Sequence, residues 1–319
     1  MRYRQLGSSG LTVSAVGLGC NNFGGSSSSA DVAAYGALDL DQTRAVVDKA
    51  CDCGVTFFDT ANIYGNGGSE AFLGTILRGR RDSVVLATKW GGGEPPGVAW
   101  GSRRYIRKAV EESLERLGTD YIDLYQLHWP DPLTPIDETL AALDDLVRAG
   151  KVRYIGSSHL SGWEVMHWDW TARSAGLNRP VSAQNEYSLL CRDADIELLP
   201  ACRAAGVGLL AYFPLASGLL TGKYRRDASA PNGSRLAGKP IGTDVFVRLE
   251  ALESFASSRG RTLLELAIGA VASVAGVDCV VTGATRPEQI AANVDAADWH
   301  LGSADLTELA KLTLPNSAL

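Results

Sequence analysis

The chain has 319 residues, 45% hydrophobic and 21% charged. That is enough apolar material for a sizeable core and excludes a disordered or fibrous protein. A formal net charge of −6 argues against general affinity for nucleic acid or an anionic membrane, since both call for a basic face.

At this length the chain could be two average domains or one large α/β barrel, and the order of elements has to decide. The opening MRYRQLGSSGLTVSAVGLGC lacks a charged start followed by a long apolar core and a cleavage site. No run approaches eighteen apolar residues either, so a cytoplasmic protein with no membrane segment is expected. Within that opening, RYRQL, a GSSG turn and LTVSA read as a β-hairpin. The serines 26–29 then mark a low-complexity loop.

Eight short apolar runs follow: AVGLGC (15–20), TFFDT (56–60), VVLATK (84–89), YIDLYQLH (121–128), VRYIGSS (152–158), VSAQNEY (181–187), GLLAYFP (208–214) and CVVTG (279–283). They are near-continuous rather than alternating, the pattern of strands buried on both faces. Helical stripes lie between them, such as Ile106, Val110, Leu114, Leu117 and Ile136, Leu140, Leu143, Val147. Gly118 and Gly150 close these two helices as left-handed caps. Eight strands alternating with helices predict a closed (β/α)8 TIM barrel, whereas a doubly wound sheet usually has fewer strands and a Gly-rich first turn. The hairpin is expected to cap the barrel floor, and residues 1–319 to form a single domain. Residues 216–243, rich in Gly, Ser, Arg and Pro, read as a long loop after strand seven. Two helical stretches, 244–258 and 262–274, come next, where the repeat needs one.

The six cysteines (20, 51, 53, 191, 202, 279) are scattered over predicted strands and helices, which suits reduced core thiols. Cys51 and Cys53 form a C-x-C without a nearby histidine pair, and no metal site is expected. The histidines (128, 159, 167, 300) are equally dispersed.

The stretch TFFDTANIYG (56–65) carries the chemistry. Taken alone, Asp59 could simply turn the chain and Tyr64 be a half-buried aromatic. The barrel changes that reading. Asp59 ends strand two, Lys89 ends strand three, His128 ends strand four, and Tyr64 lies in the loop after strand two, so all four belong to the C-terminal rim where barrel enzymes carry their sites. A phenol has a pKa of about 10, and a neighbouring ammonium lowers it by favouring phenolate. Lys89 is expected to supply that charge, and Asp59 to keep Lys89 protonated despite desolvation. His128 can donate to a substrate oxygen and orient it. The group reads as a proton donor aimed at a small-molecule carbonyl whose oxygen gains negative charge. Its carbon must then receive a hydride, which no side chain supplies, so a cofactor is implied.

Dinucleotide fingerprints are absent: GLGCNN (17–22) and GNGGSE (65–70) both lack the third glycine. SGLLTGKY (217–224) misses a phosphate loop at both ends, with Ser217 in the first Gly position and Tyr224 in place of Ser or Thr. The sequence resembles the aldo-keto reductase superfamily over almost its whole length. It looks closest to the bacterial branch that also resembles potassium-channel β-subunits and sugar or aryl-aldehyde reductases. The matching motifs are GVTFFDTANIYG with SEAFLG, LATK, DYIDLYQLHWPD, GKVRYIGSS, YFPLASGLLTGKY and GATRPEQIAANV.

The resemblance implies a tetrad of Asp59, Tyr64, Lys89 and His128, with NADPH extended across the barrel mouth. It further implies that Ser158 and Gln184 hold the nicotinamide carboxamide and that Tyr212 stacks on the ring. Leu215, Ser217, Gly218, Leu220, Gly222 and Lys223 would wrap the pyrophosphate, and Gly283, Thr285, Arg286, Gln289 and Asn293 would bind the adenosine end. The sequence departs from the family where many members have Asn, here His159, and where a Glu commonly bonds adenine, here Ala292, which implies a looser adenine end. Phe23, Trp90, Trp129 and Trp100, next to rim positions, are expected to line the substrate pocket. Specificity is assigned to loops 21–40, 91–102 and 216–243, and no pattern specifies an oligomeric state. A redox-sensing subunit that binds NADPH but turns over slowly is the alternative. A barrel hydrolase with paired carboxylates would need a second rim acid near Asp59.

Overall fold

The structure is a computed structural model that describes residues 1–24, 37–92 and 97–313. Ser26–Ser29 and parts of the loops 21–40 and 91–102 lie outside the described residues. Chain order begins with a two-stranded antiparallel hairpin, β1 (Tyr3–Gln5) and β2 (Thr12–Ser14). Eight strands then form the barrel: β3 (Val16–Gly19), β4 (Phe57–Asp59), β5 (Val85–Trp90), β6 (Ile122–Leu127), β7 (Val152–Ser158), β8 (Pro180–Glu186), β9 (Gly208–Tyr212) and β10 (Val277–Gly283). They close in the order β10-β3-β4-β5-β6-β7-β8-β9, every pair parallel. The fold is the (β/α)8 barrel that the alternation predicts.

The described helices are α1 (Leu40–Asp52), α2 (Gly68–Ile76), α3 (Arg103–Leu117), α4 (Ile136–Arg148), α5 (Gly162–Ala175), α6 (Leu198–Ala205), α7 (Thr243–Ser257), α8 (Leu263–Ser273), α9 (Pro287–Ala296) and α10 (Ser303–Thr313). Gly118 caps α3 at φ 60. In α4 the cap is Ala149, and Gly150 follows it at φ 76.

Period-two alternation splits the core. Phe57, Ala87, Leu124, Leu210 and Cys279 form an inner cluster that Leu6, Leu11 and Val13 of the hairpin segment complete, so the hairpin packs its apolar face into the barrel floor. The opposite strand faces join α1–α5 in the main cluster. A separate cluster gathers Leu220, Tyr224, Phe246, Leu252, Phe255 and Leu266, and packs the segment after β9 onto α7 and α8. The buried Glu70 on α2 accepts from the Thr88 hydroxyl at 2.6 Å and from Arg116 at 2.7 Å, pinning β5 beside the residue that precedes Lys89. All six cysteines are free; Cys51, Cys202 and Cys279 lie on helices or a strand as expected, while Cys20, Cys53 and Cys191 lie just outside such elements. Among the described residues no cluster of metal ligands occurs, and no helix is long and apolar enough to cross a membrane.

Candidate active site

Parallel register carries three strand ends to one rim. Gly19 pairs with Asp59, Asp59 with Ala87, and Lys89 with Gln126. Asp59 and Lys89 are thereby neighbours near the ends of β4 and β5, and His128 directly follows β6 with its backbone N–H on the Trp90 carbonyl at 2.9 Å. Tyr64 opens a single 3-10 turn, Tyr64–Gly67, whose Gly65, Asn66 and Gly67 all adopt positive φ. At Gly65 a Cβ would stand 2.8 Å from the Phe23 carbonyl oxygen, so only glycine lets the turn approach the barrel this closely.

Lys89 is fully buried and its ammonium is the hub. Nζ donates to Asp59 Oδ2 at 2.6 Å, to the Thr60 carbonyl at 3.1 Å and to the Tyr64 hydroxyl at 3.4 Å. Asp59 Oδ1 accepts from the Gln184 amide at 2.9 Å and the Gln126 amide at 3.3 Å, so the carboxylate faces one cation and two neutral donors. His128 meets Tyr64 edge-on with ring centroids 5.7 Å apart.

These contacts fix the protonation states. Burial works to discharge Lys89, but Asp59 and the Tyr64 hydroxyl outweigh it and leave its pKa above the ordinary lysine value. Burial and the nearby Lys89 push His128 well below the usual imidazole range, so it is neutral at physiological pH. At Tyr64 the expected lowering by Lys89 is present but outweighed. Burial raises its pKa above 10, Lys89 recovers only part of that, and Asp59 adds to the rise. The rim therefore presents a protonated phenol, an ammonium and a neutral imidazole. Such a set can give a proton to an oxygen as that oxygen becomes negative, and can receive the residual charge.

The aldo/keto reductase family model matches residues 15–313. The chain belongs to the aldo-keto reductase family. It is 36% identical to a probable voltage-gated potassium channel subunit beta of Arabidopsis thaliana, with 93% of this chain and 92% of the relative covered. It is also 33% identical to the aldo-keto reductase YhdN of Bacillus subtilis (strain 168), covering 97% of this chain and 92% of that protein. The uncharacterized oxidoreductase YrpG of the same strain is 36% identical over 94% of this chain and 92% of its own.

In this aldo-keto reductase family member the other predicted residues fall into distinct settings. Ser158 donates to the Gln184 carbonyl at 2.8 Å, and Gln184 spends its amide N–H on Asp59, so both also serve the tetrad's framework. Ser217 and Gly218 lie in the 3-10 turn Ala216–Thr221 with φ of 57 and 89, and Gly222 follows at φ 78. Leu215 is partly buried, and Leu220 is wholly buried in the cluster beneath this turn, its N–H on the Leu215 carbonyl at 3.2 Å. Lys223 is exposed, its ammonium 5.2 Å from the Tyr224 ring centre. At the end of β10, Gly283 opens onto free space. Thr285 donates through N–H and hydroxyl to Gln289 Oε1 at 2.7 and 3.1 Å. Arg286 is the exposed N-cap of α9, with Pro287 at its first position.

This rim fits a dinucleotide phosphate. Asn293 Nδ2 is a buried donor and His128 Nδ1 a buried ring nitrogen without a hydrogen-bond partner among the described residues. Arg286 adds an exposed guanidinium at the α9 N-terminus, whose dipole favours an anion, while the Gly218 and Leu220 N–H groups are already given to the Leu215 carbonyl.

Two pocket assignments are corrected. Phe23 and Trp90 are fully buried members of the main core; Trp90 stacks on Tyr125 at 4.6 Å and donates to the Trp100 carbonyl at 3.1 Å. Trp129, 44% exposed, stays at the rim. Trp100 donates to its carbonyl at 2.9 Å. Gly91 and Gly92, at φ 81 and 101, leave room for Trp100 and Trp129, whose Cδ1 atoms would stand 2.4 and 2.1 Å from an added Cβ. Sequence reasoning missed Gln126, although its two-residue spacing from His128 puts it on the same strand face. The second rim acid near Asp59 that a paired-carboxylate hydrolase would need does not appear among the described contacts of Asp59. Glu186 closes β8, exposed, and makes no bond to Asp59.

Proposed function

We propose that the protein is an NADPH-dependent reductase of aldehydes or ketones in which Tyr64 is the general acid. The observation that carries this reading is the Lys89 ammonium bonded at once to Asp59 and to the Tyr64 hydroxyl. Bound NADPH supplies the hydride that side chains cannot. Ser158, Gln184 and Tyr212 would hold its nicotinamide end, residues 215–223 its pyrophosphate, and Gly283, Thr285, Arg286, Gln289 and Asn293 its adenosine end. Neutral His128 orients the carbonyl oxygen by hydrogen bonding, and Tyr64 gives that oxygen its proton as the C=O bond becomes C–O–H. The phenolate left behind faces Lys89 Nζ, whose charge stabilises it. Tyr64's raised pKa keeps it in the donor form at neutral pH, which suits reduction. Steady-state oxidation of NADPH with a panel of aldehydes and ketones tests the reading, and failure of every carbonyl to turn over counts against it.

The relatives named as potassium channel β-subunits favour a second reading, a regulatory subunit that binds NADPH and turns over slowly. Tight NADPH binding without turnover on the same panel would select it.

A further inference from the structure

His159 stands among rim side chains that the proton-transfer group leaves unused, and its backbone is costly. It sits at φ 60, a left-handed conformation that a non-glycine residue adopts only under strain. Its own N–H bonds the Gln184 carbonyl at 3.1 Å. The ring lies flat on Trp129, with centroids 3.6 Å apart and planes 10° off parallel.

Its polar atoms have one consistent assignment. Nδ1 is 2.8 Å from the His128 carbonyl oxygen, which can only accept, so Nδ1 carries the proton. The Ser158 hydroxyl gives its proton to the Gln184 carbonyl, and its lone pairs face the same Nδ1 at 3.0 Å. Nε2 of the neutral ring is then an acceptor, and the Tyr212 hydroxyl donates to it at 3.0 Å. One imidazole thus joins the residue after β6, the end of β7 and the end of β9.

We infer that His159 is a positioning residue that anchors the Tyr212 ring by its hydroxyl and locks it to the His128 backbone. This rests on the carbonyl-reductase reading for its catalytic consequence, because Tyr212 is the aromatic assigned to the nicotinamide. The neutral ring accepts from the Tyr212 hydroxyl at Nε2, and a ring protonated there donates to the same oxygen, so the tether holds in either state. Burial and the Lys89 ammonium hold His159 below the usual imidazole range, against the His128 carbonyl, which favours the charged form. Among the described residues it faces Lys89, neutral His128 and the Tyr212 phenol, beside uncharged Trp129, Ser158 and Gln184.

The test begins on the cofactor-free protein. The chain has four histidines, and the ring signals lost in His159→Asn identify His159 in an NMR pH titration. Its midpoint should lie below about 6.5. Tyr212→Phe keeps the ring but removes the hydrogen bond at Nε2, and should move the midpoint by roughly half a unit to one unit. An unmoved midpoint overturns the tether. In turnover, Tyr212→Phe and His159→Asn should each lower kcat about tenfold, with the double variant no worse than either, since misplacement of a positioning group costs rate. Multiplying losses in the double variant would also overturn it. If the wild type turned over no carbonyl while the midpoint still shifted, the reductase reading would fail and the tether would stand.

Discussion

Replacing Lys89 by Met removes the hub of the site while nearly conserving volume. Asp59, 3% exposed, would then keep only the Gln126 and Gln184 amides as partners for a buried charge. Breaking a buried pair from one side costs about 3–5 kcal/mol, less than the stability of most domains, which is about 5–15 kcal/mol. The variant should therefore fold, with a lowered urea midpoint. Turnover should fall by at least about 10³, because Tyr64 loses the one nearby charge that lowers its pKa. Adding Asp59→Asn removes the stranded carboxylate, so Lys89→Met/Asp59→Asn should regain much of the stability and none of the rate. Urea melts and NADPH oxidation on the same preparations separate the two quantities. Recovery of activity together with stability in the double variant would refute the role of the ammonium. So would a folded Lys89→Met that keeps near-normal turnover.

Tyr64→Phe should keep cofactor binding and lose on the order of 10² to 10⁴ in kcat, the usual reach of a general acid; near-normal reduction would remove Tyr64 from that role. The pH profile follows from the directions of the shifts. Tyr64's raised pKa keeps its proton in place below about 10, and His128, depressed well below 6.5, stays uncharged through neutrality. Reduction should thus be level across the neutral range and decline only in alkali, and a rate that halves near pH 7 would contradict both assignments. Arg286→Ala should erode a preference for NADPH over NADH by about 10- to 100-fold, since the guanidinium suits a phosphate where NADH offers a hydroxyl. Fluorescence titration of both cofactors checks this, and equal wild-type affinities would count against it.

The barrel was legible because both-face burial leaves near-continuous apolar runs, and each polar rim residue interrupts or ends one. Asp59, Lys89 and His128 could be assigned to one rim from that alone. Phe23 and Trp90 were misassigned because proximity along the chain was read as proximity in space. Trp90 follows Lys89 on a strand with a period of two, so it points to the opposite side and packs on Tyr125 in the main core. The same parity would have placed Gln126 beside Asp59. The direction of the Tyr64 shift was beyond sequence reading, since it is the balance between burial and a charge 3.4 Å away. His159 was visible only as a departure from Asn. Its partners, the His128 carbonyl and the Tyr212 hydroxyl, are 31 and 53 positions distant.

The most direct measurement of the central claim is isotope transfer. NADPH carrying deuterium at the hydride position of its nicotinamide is incubated with the protein and a carbonyl compound, and the alcohol is analysed by mass spectrometry. The account predicts deuterium on the former carbonyl carbon with wild type and almost none in the same time with Tyr64→Phe. Unlabelled alcohol, or equal labelling by the two proteins, would contradict it.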